Sequence, residues 1–142
     1  TAAGMIGHVV EDGSYGDDGI LKSFMVDSVE NRDGELYLNV KEATGVKDAL
    51  KIINDDTSTY IDYDENGYIL VDGEKVDGDI RVSLTGDKRF EYNSDGSVKL
   101  LDTNSDVITD VTIKDKYQFA GAFALYSEDV TKIALNTVTE VK

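Results

Sequence analysis

The sequence predicts an all-β protein, an antiparallel barrel or sandwich of consecutive hairpins with one short helix near residues 44–54. The first observation is a series of Asp-Gly and Asn-Gly dipeptides, which tolerate the positive φ angles of tight hairpin loops. The second is the alternation of apolar and polar residues between these dipeptides, which is typical of half-buried strands. The dipeptides are Asp12-Gly13, Asp18-Gly19, Asp33-Gly34, Asn66-Gly67, Asp72-Gly73, Asp77-Gly78 and Asp95-Gly96.

The clearest alternating segment runs from Glu35 to Glu42. Leu36, Leu38 and Val40 fall on one face of an extended chain there, and polar residues or tyrosine fall on the other. About eleven such strands are more than one flat sheet normally carries, so a barrel or a sandwich follows. The other predicted strands are Gly4 to Val10, Ile20 to Val29, Thr57 to Tyr63, Tyr68 to Val71, Asp79 to Thr85, Arg89 to Tyr92, Ser97 to Leu101, Val107 to Lys114, Tyr117 to Tyr126 and Lys132 to Val141.

Residues 44–54 depart from the alternation. Their apolar residues have helical spacing, and Thr44 is a suitable N-cap, so we predict a helix of two to three turns that covers one end of the β structure. A strand over residues 49–53 is the alternative. The residues with helical spacing are Val46, Ala49, Leu50 and Ile53.

Composition limits the partners of the chain. It has 142 residues, which predicts a single domain over residues 1–142, with 29 acidic and 14 basic residues and a net charge of −15. Such an anionic surface repels phosphate backbones and acidic lipids, so we expect no nucleic-acid partner and no membrane insertion. With no cysteine and one histidine, disulfides, thiolate chemistry and multi-histidine metal sites are excluded.

Two acidic segments have the spacing of calcium loops. Asp62, Asp64 and Asn66 match the first half of the motif D-x-D-x-[DN]-G, in which alternate side-chain oxygens converge on a hard cation. The second half of the motif is missing, because its twelfth position is Gly73 instead of glutamate. A polar hairpin loop is therefore the alternative for this segment.

The second acidic segment is Asp102-Thr103-Asn104-Ser105-Asp106. Asp102, Asn104 and Asp106 again alternate oxygen ligands, and a backbone carbonyl in such a loop can join them around Ca²⁺. A solvated loop is the alternative. Calcium is the one cofactor that the sequence indicates.

Three tyrosines surround the Asn66-Gly67 turn. If Tyr60, Tyr63 and Tyr68 are exposed on one β surface, their rings can stack on sugars, and the chain would then be a carbohydrate-binding module. The alternative is cross-strand packing of the rings, which stabilises the hairpin.

The most apolar run extends from Phe119 to Leu125. Phe119, Gly121, Phe123 and Leu125 fall on one face of a strand, and three alanines fall on the other. Such a strand is either central and covered on both faces, or it is completed by contact with another subunit. These four residues are therefore the candidate assembly interface.

Catalytic signatures are sparse, and we predict no enzyme. The single histidine, His8, lies in an alternating strand, and no G-x-S-x-G elbow or phosphate-binding glycine loop occurs. An enzyme that uses paired carboxylates stays an alternative, because aspartates are so numerous that the sequence nominates no particular pair.

The stretch from Tyr60 to Ser83 carries a family resemblance. Val71-Asp72-Gly73-Glu74-Lys75-Val76 has the form of a VDGKxV-like hairpin, and Gly78-Asp79-Ile80-Arg81-Val82 that of a GDxVxV-like strand. This succession resembles the β-rich modules of bacterial surface-layer and S-layer-homology-anchored cell-surface proteins. The short Leu-rich link of that pattern is replaced here by Asp77 alone. The resemblance implies an exported surface-protein module without catalytic residues, and not the wall anchor itself.

These observations together predict a non-enzymatic, extracellular structural module or assembly subunit of a prokaryotic cell-surface protein. Its expected partners are other copies of itself or neighbouring surface proteins, which it contacts through strand edges or packed faces. Calcium would offset the repulsion between anionic surfaces.

Overall fold

The computed structural model describes residues Thr1 to Lys142 as eleven strands, one four-residue α-helix (α1, Val111–Lys114) and two 3-10 turns (Ala2–Met5 and Leu135–Thr137). None of the helices has the length and apolar character that crossing a lipid bilayer requires. The strands are β1 Val9–Glu11, β2 Phe24–Arg32, β3 Glu35–Asn54, β4 Thr57–Tyr63, β5 Ile69–Val71, β6 Glu74–Lys75, β7 Arg81–Val82, β8 Leu100–Leu101, β9 Tyr117–Tyr126, β10 Thr131–Ala134 and β11 Glu140–Val141.

The predicted all-β antiparallel class is confirmed. Nine strands belong to one hydrogen-bonded sheet with the path β11-β1-β2-β3-β4-β5-β6, and β9 and β10 each pair with β3. Strands β7 and β8 form a second, two-stranded sheet. The path of the large sheet ends at β11 and β6 without closing, so the closed-barrel alternative is wrong.

The helix predicted for residues 44–54 is wrong, because the whole segment belongs to β3. The pairing of β3 with β4 runs from Leu50 opposite Ile61 to Asn54 opposite Thr57. The backbone groups of this segment are therefore satisfied by neighbouring strands, and tertiary pairing overrides the helical spacing of its apolar residues.

The helix of the structure instead lies within a segment that was predicted to be a strand, residues 107–114. Asp110 is the N-cap of α1, and its side chain accepts a hydrogen bond from the backbone N–H of Thr112 at 2.9 Å. This cap is a local signal that the alternation of apolar residues in the segment concealed.

The residues group into two compact units. Unit 1 consists of Thr1–Gly45 and Ala124–Lys142, and unit 2 of Val46–Phe123, so the chain passes from one unit to the other within β3 and again within β9. The core of unit 1 comes from β1, β2 and the first half of β3, and its buried residues are Val10, Phe24, Val26, Leu38 and Val40.

Unit 2 contains the second half of β3, strands β4 to β8, α1 and the first part of β9. Its core is more aromatic than that of unit 1, and the rings of Tyr63 and Phe90 lie 5.3 Å apart. The buried residues of this core are Leu50, Tyr63, Ile69, Val82, Phe90, Val98, Leu100 and Tyr117.

Two kinds of hairpin turn recur along the chain. Asp33-Gly34 and Asp72-Gly73 are two-residue loops with positive φ at both positions, as the sequence predicts. Five other hairpins have three-residue loops. The residue before each loop donates its N–H to the carbonyl of the residue after the loop, and its own carbonyl accepts from the N–H of the last loop residue. The residues that precede these loops are Gly16, Asp64, Thr85, Asn93 and Asp102.

The third residue of each of these loops has a positive φ, and it is not always glycine. Lys88 and Ser105 take this position in two hairpins of unit 2, which is why no Asp-Gly or Asn-Gly dipeptide marks them. Gly67 takes it in another, where a Cβ atom would overlap the carbonyl oxygen of Val82. Only glycine fits there.

Candidate binding site

A groove of about 580 Å³ opens on unit 2 between residues of β3, β4 and β9. Small residues form much of its lining, and the exposed rings of Tyr60 and Phe123 border it. The volume falls within the range of ligand-binding clefts, roughly 300–1,000 Å³. The lining residues are Lys47, Asp48, Ala49, Leu50, Tyr60, Ile61, Asp62, Tyr63, Ala120, Gly121, Ala122 and Phe123.

Strand β3 lies between β4 and β9 in this unit. Strand β4 pairs with Leu50–Asn54, while the N–H of Ile53 donates to the carbonyl of Lys116, directly before β9, at 2.8 Å. A strand has only two hydrogen-bonding edges. Strands β4 and β9 therefore lie on opposite edges of β3.

The outer edge of β4 is open over Thr57–Tyr60. Strand β5 pairs only with Asp62 and Tyr63, and all four residues from Thr57 to Tyr60 are exposed. Tyr60 is the most exposed large hydrophobic residue of unit 2, with 79% of its surface accessible. These four residues carry no charge, although charges are among the devices that protect the edges of natural sheets.

Strand β9 also has one open edge, because β3 is its only strand partner. In unit 2, Phe119 and Phe123 are 41% and 49% exposed, so this strand is not covered on both faces within one chain. The ring of Phe119 lies edge-on to those of Phe90 and Tyr92, at 6.3 Å from each. Leu125, the fourth residue of the predicted assembly interface, belongs to unit 1.

Gly121 divides the exposed part of β9. Its φ is +97°, a value that L side chains rarely adopt, and no atom lies within 4 Å of the position that a Cβ would take. Glycine is therefore favoured at this position by the backbone conformation and not by crowding, as at an irregular point of a strand.

A buried ion pair lies beside the groove and was not predicted. The carboxylate of Asp48, 2% exposed, accepts hydrogen bonds from Nε and Nη2 of Arg89 at 3.0 and 2.8 Å and from the N–H of Phe90 at 2.8 Å. Burial raises the pKa of Asp48, but the hydrogen bonds from Arg89 and Phe90 outweigh it and the pKa lies below its usual value.

Asp48 thus stays ionised, with both oxygens engaged, and ties β3 to the hairpin that contains Arg89. A general acid needs the opposite shift, towards a raised pKa. One signal in the sequence could have revealed the pair. If residues 44–54 form a strand, Asp48 faces the core beside Leu50, and a core aspartate requires a partner.

The three predicted tyrosines do not form one platform. Tyr60 and Tyr63 line the groove, but Tyr63 is buried, and its hydroxyl donates to the carbonyl of Asp48 at 2.7 Å. Burial, followed by the charges of nearby carboxylates, raises the pKa of Tyr63 to about 12. Tyr68 lies apart from the groove, with Nζ of Lys75 3.9 Å from its ring centre.

The side chains of the first calcium candidate serve the hairpin itself. Oδ1 of Asp64 accepts from the N–H groups of Asn66 and Tyr68, at 3.0 and 2.9 Å. Oδ1 of Asp62 accepts from the N–H of Tyr63 at 2.8 Å and lies 3.5 Å from Nζ of Lys47.

The second calcium candidate has the same turn. Oδ1 of Asp102 accepts from the N–H groups of Asn104 and Asp106, at 2.9 and 3.0 Å. No three acidic, histidine or cysteine side chains of the chain are grouped as metal ligands. Asp64 and Asp102 thus each cap the turn of their own hairpin.

No family model, curated protein or solved structure matches the chain.

Proposed function

We propose that this chain is a non-enzymatic structural module of a prokaryotic cell-surface protein, and that it assembles with other copies or with neighbouring surface proteins. The observation that carries the proposal is the exposed part of β9 in unit 2, residues 119–123. It is uncharged, it carries two exposed phenylalanines, and it pairs with another strand on one edge only. Long, uncharged and apolar strand edges pair readily with other chains.

Electrostatics favours contact at this point of the surface. The chain has a net charge of −15, yet no charged residue occurs between Lys116 and Glu128. Like charges oppose association wherever acidic loops meet, and the opposition is smallest where charges are absent. An anionic copy can therefore approach β9 with less repulsion than it meets at the acidic hairpin loops.

Sedimentation velocity over a series of protein concentrations tests the proposal. We expect the native chain to associate with rising concentration and Ala122→Lys to associate less, because a lysine on the exposed edge disfavours pairing. Ser94→Lys is the matched control, since it adds the same charge to an exposed turn of unit 2. A native chain that stays monomeric throughout would contradict the proposal.

The cell-surface location is part of the same proposal, and it rests on the resemblance of residues 60–83. Protease treatment of intact cells tests it directly. The native protein is expected to be cleaved while a cytoplasmic marker survives, and protection of both would place the protein inside the cell.

Calcium stabilisation also stays a proposal. It would act through the acidic loops at residues 62–66 and 102–106, whose carboxylates keep free lone pairs after capping their turns. Thermal melts with added calcium and with excess chelator measure the effect. Identical melting temperatures in both conditions would remove calcium from the proposal.

A second candidate function is carbohydrate binding, which is favoured by the exposure of Tyr60 at the rim of the groove. Its ring is available for stacking, and the Lys47–Asp62 ion pair offers polar partners for hydroxyl groups. A glycan array with the native chain and Tyr60→Ala separates the two functions, with Tyr15→Ala, at a 65% exposed tyrosine of unit 1, as control. The assembly function predicts no saccharide signal from any of the three.

A further inference from the structure

In unit 2, the open edges of β4 and β9 lie on opposite sides of β3, and this arrangement determines how copies can join through them. We propose that the assembly is head-to-tail, and that the β9 edge of one copy, residues 120–123, pairs with the β4 edge of the next, residues 57–60. The inference rests on the proposed function, and it names a second copy of this chain as the partner.

The geometry follows from the sheet itself. Because β4 and β9 lie on opposite edges of β3, joining the β9 edge of one copy to the β4 edge of another continues a single sheet. Each joined pair still has one free β4 edge and one free β9 edge. Contacts of this heterologous kind extend into open filaments unless their rotation closes a ring.

The charges of the segments favour this pairing over β4 with itself. Antiparallel pairing of two Thr57–Tyr60 segments about their centre would bring the Asp55-Asp56 turn of each copy towards Asp62 of the other, where β5 already occupies the strand edge. Like charges brought together across a strand pair destabilise a sheet. The β9 segment 120–123 carries no charge, and its one aromatic residue, Phe123, is a favourable cross-strand partner for a β-branched residue such as Thr57 or Thr59.

The backbone of β9 disfavours pairing of β9 with itself. Centred pairing of two Phe119–Phe123 segments would place the two Gly121 residues opposite each other, each with a φ of +97°. An irregular point in both strands at one position interrupts the hydrogen-bond ladder on both sides. The extended Thr57–Tyr60 segment contains no residue with positive φ, so it offers a regular partner.

Mixing two single-edge variants tests the inference. Thr59→Lys blocks the β4 edge and keeps the β9 edge, whereas Ala122→Lys blocks β9 and keeps β4. Both positions are exposed, and circular dichroism melts confirm that each variant is folded. Thr59→Glu and Ala122→Glu repeat the test with the opposite charge.

Head-to-tail assembly predicts that the native chain forms species larger than dimers and that each variant alone is monomeric. An equal mixture of the two variants should then sediment with twice the monomer mass and grow no further. If Thr59→Lys dimerises by itself, the contact joins β9 to β9, and the inference is wrong while the proposed function stands. If the native chain associates but the mixture stays monomeric, the contact lies elsewhere. A monomeric native chain overturns both.

Discussion

The two units bury one carboxylate each and hold it in different ways. In unit 1, Glu11 is 7% exposed, and its Oε2 lies 3.1 Å from Nζ of Lys142. In unit 2, Asp48 accepts three hydrogen bonds from two consecutive residues, Arg89 and Phe90. The first carboxylate meets one flexible side chain, whereas the second joins β3 to a hairpin about forty residues further along the chain.

This difference shows how a unit with short strands can be held in one arrangement. Unit 1 has long β-ladders, with Phe24 to Arg32 paired along Glu35 to Glu42, and an apolar core that these ladders align. Strands β5 to β8 of unit 2 have two or three residues each, so ladders alone align little. Its hairpins depend on close backbone approaches and on the Asp48 ion pair.

The largest expected effect on stability is at Gly67, which lies close to the backbone of Val82. Gly67→Ala places a Cβ against the carbonyl oxygen of Val82 at a φ of +88°, so the free energy of unfolding should fall by about 3–5 kcal/mol. Gly34→Ala, at a φ of +87° in unit 1 with open space around it, should cost only about 1–2 kcal/mol. Urea unfolding measures both, and equal losses would contradict the comparison.

Removal of the buried carboxylate should have the next largest effect on stability, and the loss should differ between the two units. Asp48→Ala leaves the N–H of Phe90 and the Arg89 side chain without their partner and should cost about 3 kcal/mol. Glu11→Gln removes one contact to a half-exposed lysine and should cost less than about 1 kcal/mol. A larger loss of stability for Glu11→Gln than for Asp48→Ala in urea unfolding would show that Glu11 makes the more important buried polar contact.

The contribution of the same ion pair to stability should depend on pH in the acidic range. The pKa of Asp48 is lowered in the folded state, so its contribution to stability is present above its unfolded value of 3.8 and disappears as the pH falls through the folded pKa. The stability difference between the native chain and Asp48→Asn should therefore shrink as the pH falls below about 4. Urea unfolding at neutral and acidic pH measures this, and a constant difference would show that the charge of Asp48 contributes nothing.

The smallest expected effect is at alkaline pH. The pKa of Tyr63 is raised from 10.0 to about 12, so folding favours its neutral form, and stability falls as the pH rises between these two values. Ultraviolet titration should show several tyrosines that ionise late, since burial also raises the pKa of Tyr92 and Tyr117, and Tyr63→Phe should remove the late step of one of them. The exposed Tyr60→Phe is the control, and loss of the late step in that variant instead would place the buried phenol elsewhere.

The hairpins of the fold were predictable from the sequence because their signals are local. The positive φ of Asp33-Gly34 and Asp72-Gly73 follows from residue type alone. Lys88 and Ser105 take the same backbone conformation without glycine, so their hairpins left no dipeptide to find. The helix predicted at residues 44–54 was wrong because the deciding signal is not local. The hydrogen-bond ladder that makes this segment a strand comes from residues 57–61 and from β9.

The candidate site was predictable only in parts. Tyr60 and Phe123 were selected as a sugar platform and an assembly residue, and the structure places both on one groove. That they meet depends on the strand order β4-β3-β9, which no local pattern encodes. The partnership of Asp48 with Arg89 spans 41 residues, and it becomes visible only when β3 is known to be a strand.

The division of the chain has a consequence for its synthesis. Unit 2 is one continuous segment, whereas unit 1 is made of residues 1–45 and 124–142. On the ribosome, residues 46–123 are all available before Val141 emerges to take its place opposite Val10. Because translation proceeds at about 5–20 residues per second, Val141 is added roughly one to four seconds after unit 2 is complete, and β1 lacks its β11 partner until then. During that interval, the sheet of unit 1 lacks β11, and the unpaired edge of β1 is open to a chaperone.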